Sequence, residues 1–182
     1  MNVSHNRIEL TNNTSSAYGM YFTACDATNL ERSKIIANKI IGINQNSTTI
    51  YGLYSSATTN ADIINNVVNV ATQGGSTAYG TYSTSGSGSN FWNNSIQNGS
   101  DIGSGTANVA AYFTQTASGG NGPIDIRNNI FYHAKNGIAL SFGNVSFIYS
   151  DYNFLYTGGP TLVRSVSTNL ASLQAWINSA FW

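Results

Sequence analysis

The sequence predicts an all-β fold, a parallel β-helix of about five to six coils that ends in a short C-terminal capping helix. Two short phrases recur along the 182 residues, at intervals of 28 to 35 residues for the first of them. Each unit holds short segments of alternating polarity and no helical pattern. Such units are too short for a propeller blade of roughly 40 residues. They suit one full coil each, with successive coils stacked about 4.8 Å apart.

The first recurring phrase reads apolar, any residue, small residue or asparagine, asparagine, any residue, apolar. Its copies are VSHNRI (3–8), IIANKI (35–40), IINNVV (63–68), FWNNSI (91–96), IRNNIF (126–131) and, in degenerate form, IYSDYN (148–153). Asparagine tolerates a left-handed corner, and its amide bonds to the next coil. We therefore expect a structural ladder of Asn6, Asn38, Asn66, Asn94 and Asn129 at such a corner. The flanking positions predict two inward columns: Ile35, Ile63, Phe91 and Ile126, and Ile8, Ile40, Val68, Ile96 and Phe131.

The second phrase places two tyrosines around a glycine, as YGMYFT (18–23), YGLYSS (51–56) and YGTYST (79–84), and decays to VAAYFT and NGIALS. Alternation along a strand predicts an outward column of candidate ligand-binding residues, Tyr21, Tyr54, Tyr82 and Tyr112. Beside it we expect a column of small residues, Gly19, Gly52, Gly80, Ala110 and Gly137. Three interpretations stay open: a purely structural ladder, a ladder whose rings also form a platform for sugar rings, and an inverted assignment that buries the rings.

Composition excludes several classes of partner. Only 8% of the residues are charged, and the seven basic and seven acidic side chains cancel, so no basic field attracts nucleic acid. No apolar run approaches the roughly 20 residues of a membrane span. The single cysteine, Cys25, rules out an intrachain disulfide and is expected to be a buried thiol. The sequence suggests no cofactor and no metal site.

The asparagine corner columns and the coil length resemble the right-handed parallel β-helix, pectate-lyase-like superfamily, over about residues 2 to 155. That superfamily includes pectate lyases, polygalacturonases and many bacterial surface proteins. The segment SDYNFLY (150–156), followed by NLASLQAW (169–176), resembles the closing segment of β-helix regions in large secreted bacterial proteins. The resemblance, together with low charge and abundant Asn, Ser and Thr, implies an extracellular or cell-surface location. It carries over no catalytic residue, because the polygalacturonase triplets and the acidic calcium cluster of pectate lyases are missing from the sequence.

The predicted organisation has two parts, β-helix coils over 1–156 and a C-terminal loop with an amphipathic capping helix over 157–182. Ser167, Thr168 or Asn169 is the expected helix cap. The apolar face of the helix is expected to contain Leu170, Leu173, Trp176, Ile177 and Phe181. The uncapped start and the closing helix together predict a C-terminal fragment of a longer β-helix, whose partners include further domains of the same polypeptide.

Two hypotheses describe the function. The first is a non-catalytic extracellular module of the stalk or adhesin type that contacts polysaccharide through its tyrosines. The alternative is a polysaccharide lyase or glycoside hydrolase. Its candidate residues are Asp62, Asp125, Arg127 and His133.

Aligning the coils places Lys34, Asp62, Asn90 and Asp125 in one column. The two aspartates then lie two steps apart, roughly 9.6 Å, near the range that an inverting hydrolase needs. The simpler interpretation is structural: a Lys34–Asp62 surface ion pair, and a solvated edge formed by Asp125 and Arg127.

Overall fold

In a computed structural model, the chain forms a parallel β-solenoid of three sheets. The structure describes residues 1–11, 15–44, 49–72, 77–100, 108–114, 122–144 and 148–179. It has about four turns, slightly fewer than the predicted five to six coils. The all-β class and the parallel coil architecture are confirmed, and the right-handed winding stays a prediction.

Strands of the three sheets follow one another in turn along the chain. The first sheet contains, in spatial order, β1 (Asn2–Ser4), β4 (Ser33–Ile36), β7 (Ala61–Ile64), β10 (Asn90–Trp92), β13 (Ile124–Arg127) and β16 (Ile148–Asp151). The second contains β2 (Arg7–Thr11), β5 (Lys39–Asn44), β8 (Val67–Thr72), β11 (Ser95–Asn98), β14 (Ile130–His133) and β17 (Phe154–Thr157). The third contains β3 (Ala17–Thr23), β6 (Thr49–Ser56), β9 (Thr77–Thr84), β12 (Val109–Thr114), β15 (Ile138–Phe142), β18 (Val163–Ser165) and, antiparallel to it, β19 (Thr168–Leu170).

Both predicted inward columns are confirmed. On the first sheet Ile35 pairs in register with Ile63, and the column continues through Phe91 to Ile126. On the second sheet Ile40 pairs with Val68, and the column continues to Ile96 and Phe131. All of these side chains are buried, and they form one continuous core with residues of the third sheet. Stacking equivalent residues coil upon coil therefore supplies the hydrophobic burial that a single coil lacks.

The asparagine ladder forms at the turn between the first and second sheets. The Nδ2 of Asn38 donates to the Oδ1 of Asn66 at 3.0 Å, and the Nδ2 of Asn66 donates to the Oδ1 of Asn94 at 3.0 Å. Asn129 continues the ladder, and Asn153 extends it by one rung that was not predicted. Each amide thus bridges two coils, as predicted.

The left-handed backbone was predicted at the wrong residue of this turn. Positive φ angles occur at the residue before each ladder asparagine, for example 57° at Ala37 and 57° at Asn65. The ladder asparagines are not among the residues with positive φ. Their side chains instead point inward and accept the backbone N–H of the preceding coil, as Asn66 does from Asn38 at 3.0 Å. Two adjacent residues of the turn therefore have different roles. The first, with positive φ, reverses the direction of the chain, and the second, the asparagine, bridges the coils.

The C-terminal helix is shorter than predicted. Helix α1 spans Leu173–Ile177 and is capped by Ser172, whose hydroxyl accepts the backbone N–H of Ala175 at 3.1 Å. Residues 168–170 form β19 instead of a first helical turn, so the predicted caps were wrong. Of the predicted apolar face, Trp176 is buried and stacks on Phe142 at 5.2 Å beside the third sheet. Leu173 and Ile177 are exposed, so the helix packs on the core through Trp176 and not through a full apolar face. Phe181 lies outside the described residues.

Two further expectations concern single features. Cys25 is half-buried against the edge of the core, not buried as expected. Within the described ranges, α1 is much too short to cross a membrane.

Candidate functional site

Two columns of stacked tyrosines cover the outer face of the third sheet. One column contains Tyr18, Tyr51 and Tyr79, with ring centroids 4.9 and 5.3 Å apart. The other contains Tyr21, Tyr54, Tyr82 and Tyr112, with centroids 4.9, 5.4 and 4.8 Å apart. Edge-to-face contacts join the columns, such as Tyr51 with Tyr54 at 5.2 Å. We call this set of seven rings the double tyrosine ladder.

The glycine between the tyrosines explains why both face outward. Strict alternation would send residues three apart to opposite faces. In β6, however, Gly52 and Leu53 are both buried, so Tyr51 and Tyr54 share the outer face. A Cβ atom on Gly52 would lie 2.3 Å from the Cγ1 of Val68 and 2.5 Å from the carbonyl oxygen of Gly80, so any larger residue requires its neighbours to move. The predicted column of small residues therefore faces the core instead of lying beside the tyrosines. Gly137 does not belong to it, because Val109 pairs with Ile138 and Ala111 with Leu140, which places Ala139 opposite Ala110. The column of Tyr18, Tyr51 and Tyr79 was not predicted from the sequence.

The rings of the double tyrosine ladder cover one another. Within each column the ring planes lie within 14° of parallel, so each ring buries the faces of its neighbours. Burial, followed by the neighbouring phenols, raises the pKa of Tyr51, Tyr79 and Tyr82. The accessible parts are therefore ring edges, hydroxyl groups and the outer faces of the terminal rings. This geometry differs from the expected platform of open ring faces.

A concave surface lies on the outer face of the second sheet. This groove has a volume of about 530 Å³, and its lining includes Ile41, Val67, Asn69 and Gln97. Tyr132 bounds one side and stacks on its register neighbour Tyr156, at 4.8 Å. The groove has a mixed polar and apolar lining and contains one charged side chain, Lys39.

The candidate catalytic aspartates lie in the predicted column, but each is bound to an arginine. Asp62 pairs in register with Lys34 and with Asn90, which pairs in turn with Asp125. The Nε of Arg32, not Lys34, lies 2.6 Å from the Oδ1 of Asp62, which corrects the predicted ion pair. Arg32 precedes the aligned repeat, so the repeat did not predict this contact.

Asp125 has the arginine partner that the sequence predicted. The Nε of Arg127 lies 2.7 Å from its Oδ1, and the arginine side chain is 46% exposed. His133, in contrast, is fully buried in the second sheet, on the inner side of the solenoid. The structure therefore brings Asp125 and Arg127 together but does not add His133 to them. Among the described residues, no three His, Cys, Asp or Glu side chains cluster closely enough to hold a metal ion.

The surroundings of His133 are those of a core residue and not of a catalytic one. Its ring lies against Gly137, where a Cβ atom would come within 2.4 Å of the ring carbon Cδ2. The Nδ1 of His133 lies 3.2 Å from the carbonyl oxygen of Lys135. Burial lowers the pKa of His133, and this backbone hydrogen bond partly opposes the shift. His133 is therefore best described as a neutral core residue.

We expect the stability of the protein to fall as the pH drops below about 6.5, the ordinary pKa of histidine. The pKa of His133 is lower in the folded protein than in the unfolded chain. As the pH falls, the unfolded chain therefore binds a proton at a higher pH than the folded protein does, and this stabilises the unfolded state relative to the folded one. The free energy of unfolding should decline by up to about 1.4 kcal/mol per pH unit until the folded pKa is reached. Urea unfolding at pH 5 to 8 measures this slope. His133→Phe should remove the slope between pH 5 and 6.5 and His5→Gln should keep it, whereas an unchanged slope in His133→Phe would contradict the assignment.

The three stacked sheets, the asparagine ladder and the outward tyrosines define the chain as a parallel β-solenoid. Comparisons with protein-family models, curated proteins and solved structures found no match.

Proposed function

We propose that the chain is a non-catalytic extracellular β-solenoid module, of the stalk or adhesin type, that contacts polysaccharide through the double tyrosine ladder. The observation that carries the proposal is the array of seven tyrosine rings on one outer sheet face. Aromatic surfaces of this extent usually mark interaction sites on soluble proteins. Tyrosine combines an apolar ring with a hydroxyl group, which matches the apolar C–H and polar O–H groups of a sugar.

The stacking of the rings decides which groups make the contact. Because ring faces inside the columns are covered, a glycan chain lying on the ladder meets ring edges and hydroxyl groups. Tyr21, at one end of its column among the described residues, is 54% exposed. Hydrogen bonds to sugar hydroxyls are therefore the main contacts along the ladder, and ring stacking is restricted to its ends.

The proposed setting follows from the composition and the solenoid architecture. A surface with few charges and many Asn, Ser and Thr side chains suits a location outside the cell, as part of a longer secreted chain. Further coils can be added to a solenoid along one axis because each coil contacts only its neighbours. Such a module is suited to form a rigid segment between other domains. The partners we propose are polysaccharide and further domains of the same polypeptide.

Removing the ladder hydroxyls tests this function without removing the rings. The triple variant Tyr51→Phe, Tyr54→Phe and Tyr82→Phe keeps the stacking and loses three hydrogen-bonding groups. If each hydroxyl contributes about 1 kcal/mol net, the affinity should fall by about 100-fold. Affinity electrophoresis in gels containing neutral and acidic polysaccharides measures the retention. The matched control, Tyr132→Phe with Tyr156→Phe, alters the stacked pair on the second sheet and should leave retention unchanged.

Equal retention of the triple variant and the unaltered protein would contradict contact through the ladder. Loss of retention in the control variant would instead place the contact in the groove of the second sheet. Thermal unfolding of both variants, compared with the unaltered protein, establishes that the fold is retained.

The alternative, a polysaccharide lyase or glycoside hydrolase, has one observation in its favour. Asp62 and Asp125 share a column on the outer face of the first sheet, two register steps apart. Each of these carboxylates is held in an ion pair with an arginine, Asp62 with Arg32 and Asp125 with Arg127. Incubation with a panel of polysaccharides, followed by assays for new reducing ends or unsaturated products, separates the two functions. Activity that disappears in Asp125→Asn would overturn the non-catalytic proposal.

A further inference from the structure

The second tyrosine column reaches its last ring at Tyr112 within the described residues. One face of this ring is stacked on Tyr82, at 4.8 Å. The next position of the register is Ser141, which has no ring. Gly143 lies under the phenol, where a Cβ atom would be 2.5 Å from the Tyr112 hydroxyl. The small residues leave a cavity of about 260 Å³ beside the open face of Tyr112, and we call this cavity the terminal pocket.

A cation lines the far side of the terminal pocket. Arg164 follows Ser141 in the register and contributes to the lining. Tyr79 also lines the pocket. Burial and the neighbouring phenols raise the pKa of Tyr79, whereas the positive charge of Arg164 lowers it, so the guanidinium acts on this ring. The other three arginines each form an ion pair with a carboxylate, whereas none of the ion pairs among the described residues includes Arg164. A half-buried guanidinium beside an aromatic face is suited to an anionic ligand.

We propose that the terminal pocket binds a single negatively charged sugar at the end of a polysaccharide, with its ring on Tyr112 and its carboxylate or sulfate on Arg164. Pockets for drug-sized ligands begin at about 300 Å³, so a cavity slightly smaller than this suits one ring. Arg164 and Val166 bound the pocket beyond Ser141, which favours a chain end over an internal unit. This inference rests on the proposed function, and it adds the class of sugar and the residue that selects it.

Isothermal titration of the full chain with three oligosaccharides of equal length tests the proposal. The three end in a glucuronic acid, a sulfated galactose and a neutral glucose. Because hydrogen bonds to charged groups are stronger than neutral ones, we expect at least one acidic oligosaccharide to bind at least about tenfold more tightly than the neutral one. The acidic oligosaccharide that is preferred identifies the anion. The preference should weaken as salt is added.

Two variants and a control locate the site. Arg164→Gln should lower the affinity for the acidic oligosaccharide to that for the neutral one. Arg7→Gln removes the same charge from the outer face of the second sheet, and it should change nothing. Ser141→Tyr continues the column by one ring, which should fill the terminal pocket and abolish the acidic preference. Because Ser141 is buried, thermal unfolding of this variant establishes whether the fold is retained before the affinities are compared.

The outcomes separate this inference from the proposed function. An acidic preference that survives in Arg164→Gln overturns the inference. Equal affinity for all three oligosaccharides also overturns it and leaves contact along the ladder intact. Binding to none of the three, together with no retention by any polysaccharide, overturns both.

Discussion

Replacing Asn66 with alanine is expected to lower the free energy of unfolding by about 4 kcal/mol, since each of four buried hydrogen bonds contributes about 1 kcal/mol. The Oδ1 of Asn66 accepts both the backbone N–H and the Nδ2 of Asn38, each at 3.0 Å. Its Nδ2 donates to the carbonyl of Ile35 at 2.9 Å and to the Oδ1 of Asn94 at 3.0 Å. The substitution leaves these partners buried without a replacement, so water cannot compensate for the loss.

The first rung of the ladder supplies the matched control. Asn6 is exposed, and its Nδ2 donates to the carbonyl of Ser4 and to the Oδ1 of Asn38. Water can replace both bonds, so Asn6→Ala should cost about 1 kcal/mol or less. Urea unfolding followed by circular dichroism measures both variants. Similar losses for Asn66→Ala and Asn6→Ala would show that burial of the ladder is not the source of its stability.

The ladder was predictable because its spacing is fixed by the fold. One asparagine per coil, flanked by apolar residues, establishes the coil length, and stacking at one position per coil then determines the register. The column of Lys34, Asp62, Asn90 and Asp125 followed from the same alignment and is present in the structure. The position of the left-handed residue was missed although a signal was present. Asparagine, which favours that conformation, occupies it at Asn65, Asn93 and Asn128, but the ladder position is asparagine in every aligned coil, so the left-handed backbone was assigned to the ladder.

The tyrosine face was only half predictable. An alternating pattern places every second residue outward, and a pair of tyrosines three apart contradicts it. The glycine between them was the available signal, since glycine in a strand often marks a close approach of other atoms. Arg32 precedes β4 and Arg164 lies in β18, both outside the aligned phrases, so the repeat did not predict their contacts. The same applies to β19, whose antiparallel pairing with β18 replaces the expected helical turn.

Replacing Gly52 with alanine is expected to destabilise the solenoid by about 3 kcal/mol, the upper part of the usual range for an overpacked core. The added Cβ would lie 2.3 Å from the Cγ1 of Val68 and 2.5 Å from the carbonyl oxygen of Gly80. Val68 can rotate, but the Gly80 oxygen belongs to the backbone of the neighbouring strand. Relief therefore requires β6 to move away from β9. Such a movement also separates Tyr51 from Tyr79, which are 5.3 Å apart, and should weaken the near-ultraviolet circular dichroism of the ladder.

Gly42→Ala provides the control for this substitution within the same core. A Cβ atom on Gly42 would meet only side chains, the nearest of them at 3.5 Å, which is ordinary van der Waals contact. The stability of this variant should stay equal or rise by about 0.5 kcal/mol, because alanine in a strand interior loses less conformational entropy than glycine. Thermal and urea unfolding of the two variants, with near-ultraviolet spectra, make the comparison. If Gly52→Ala unfolds at the same urea concentration as Gly42→Ala and keeps its aromatic spectrum, the glycine is not what holds both tyrosines on the outer face.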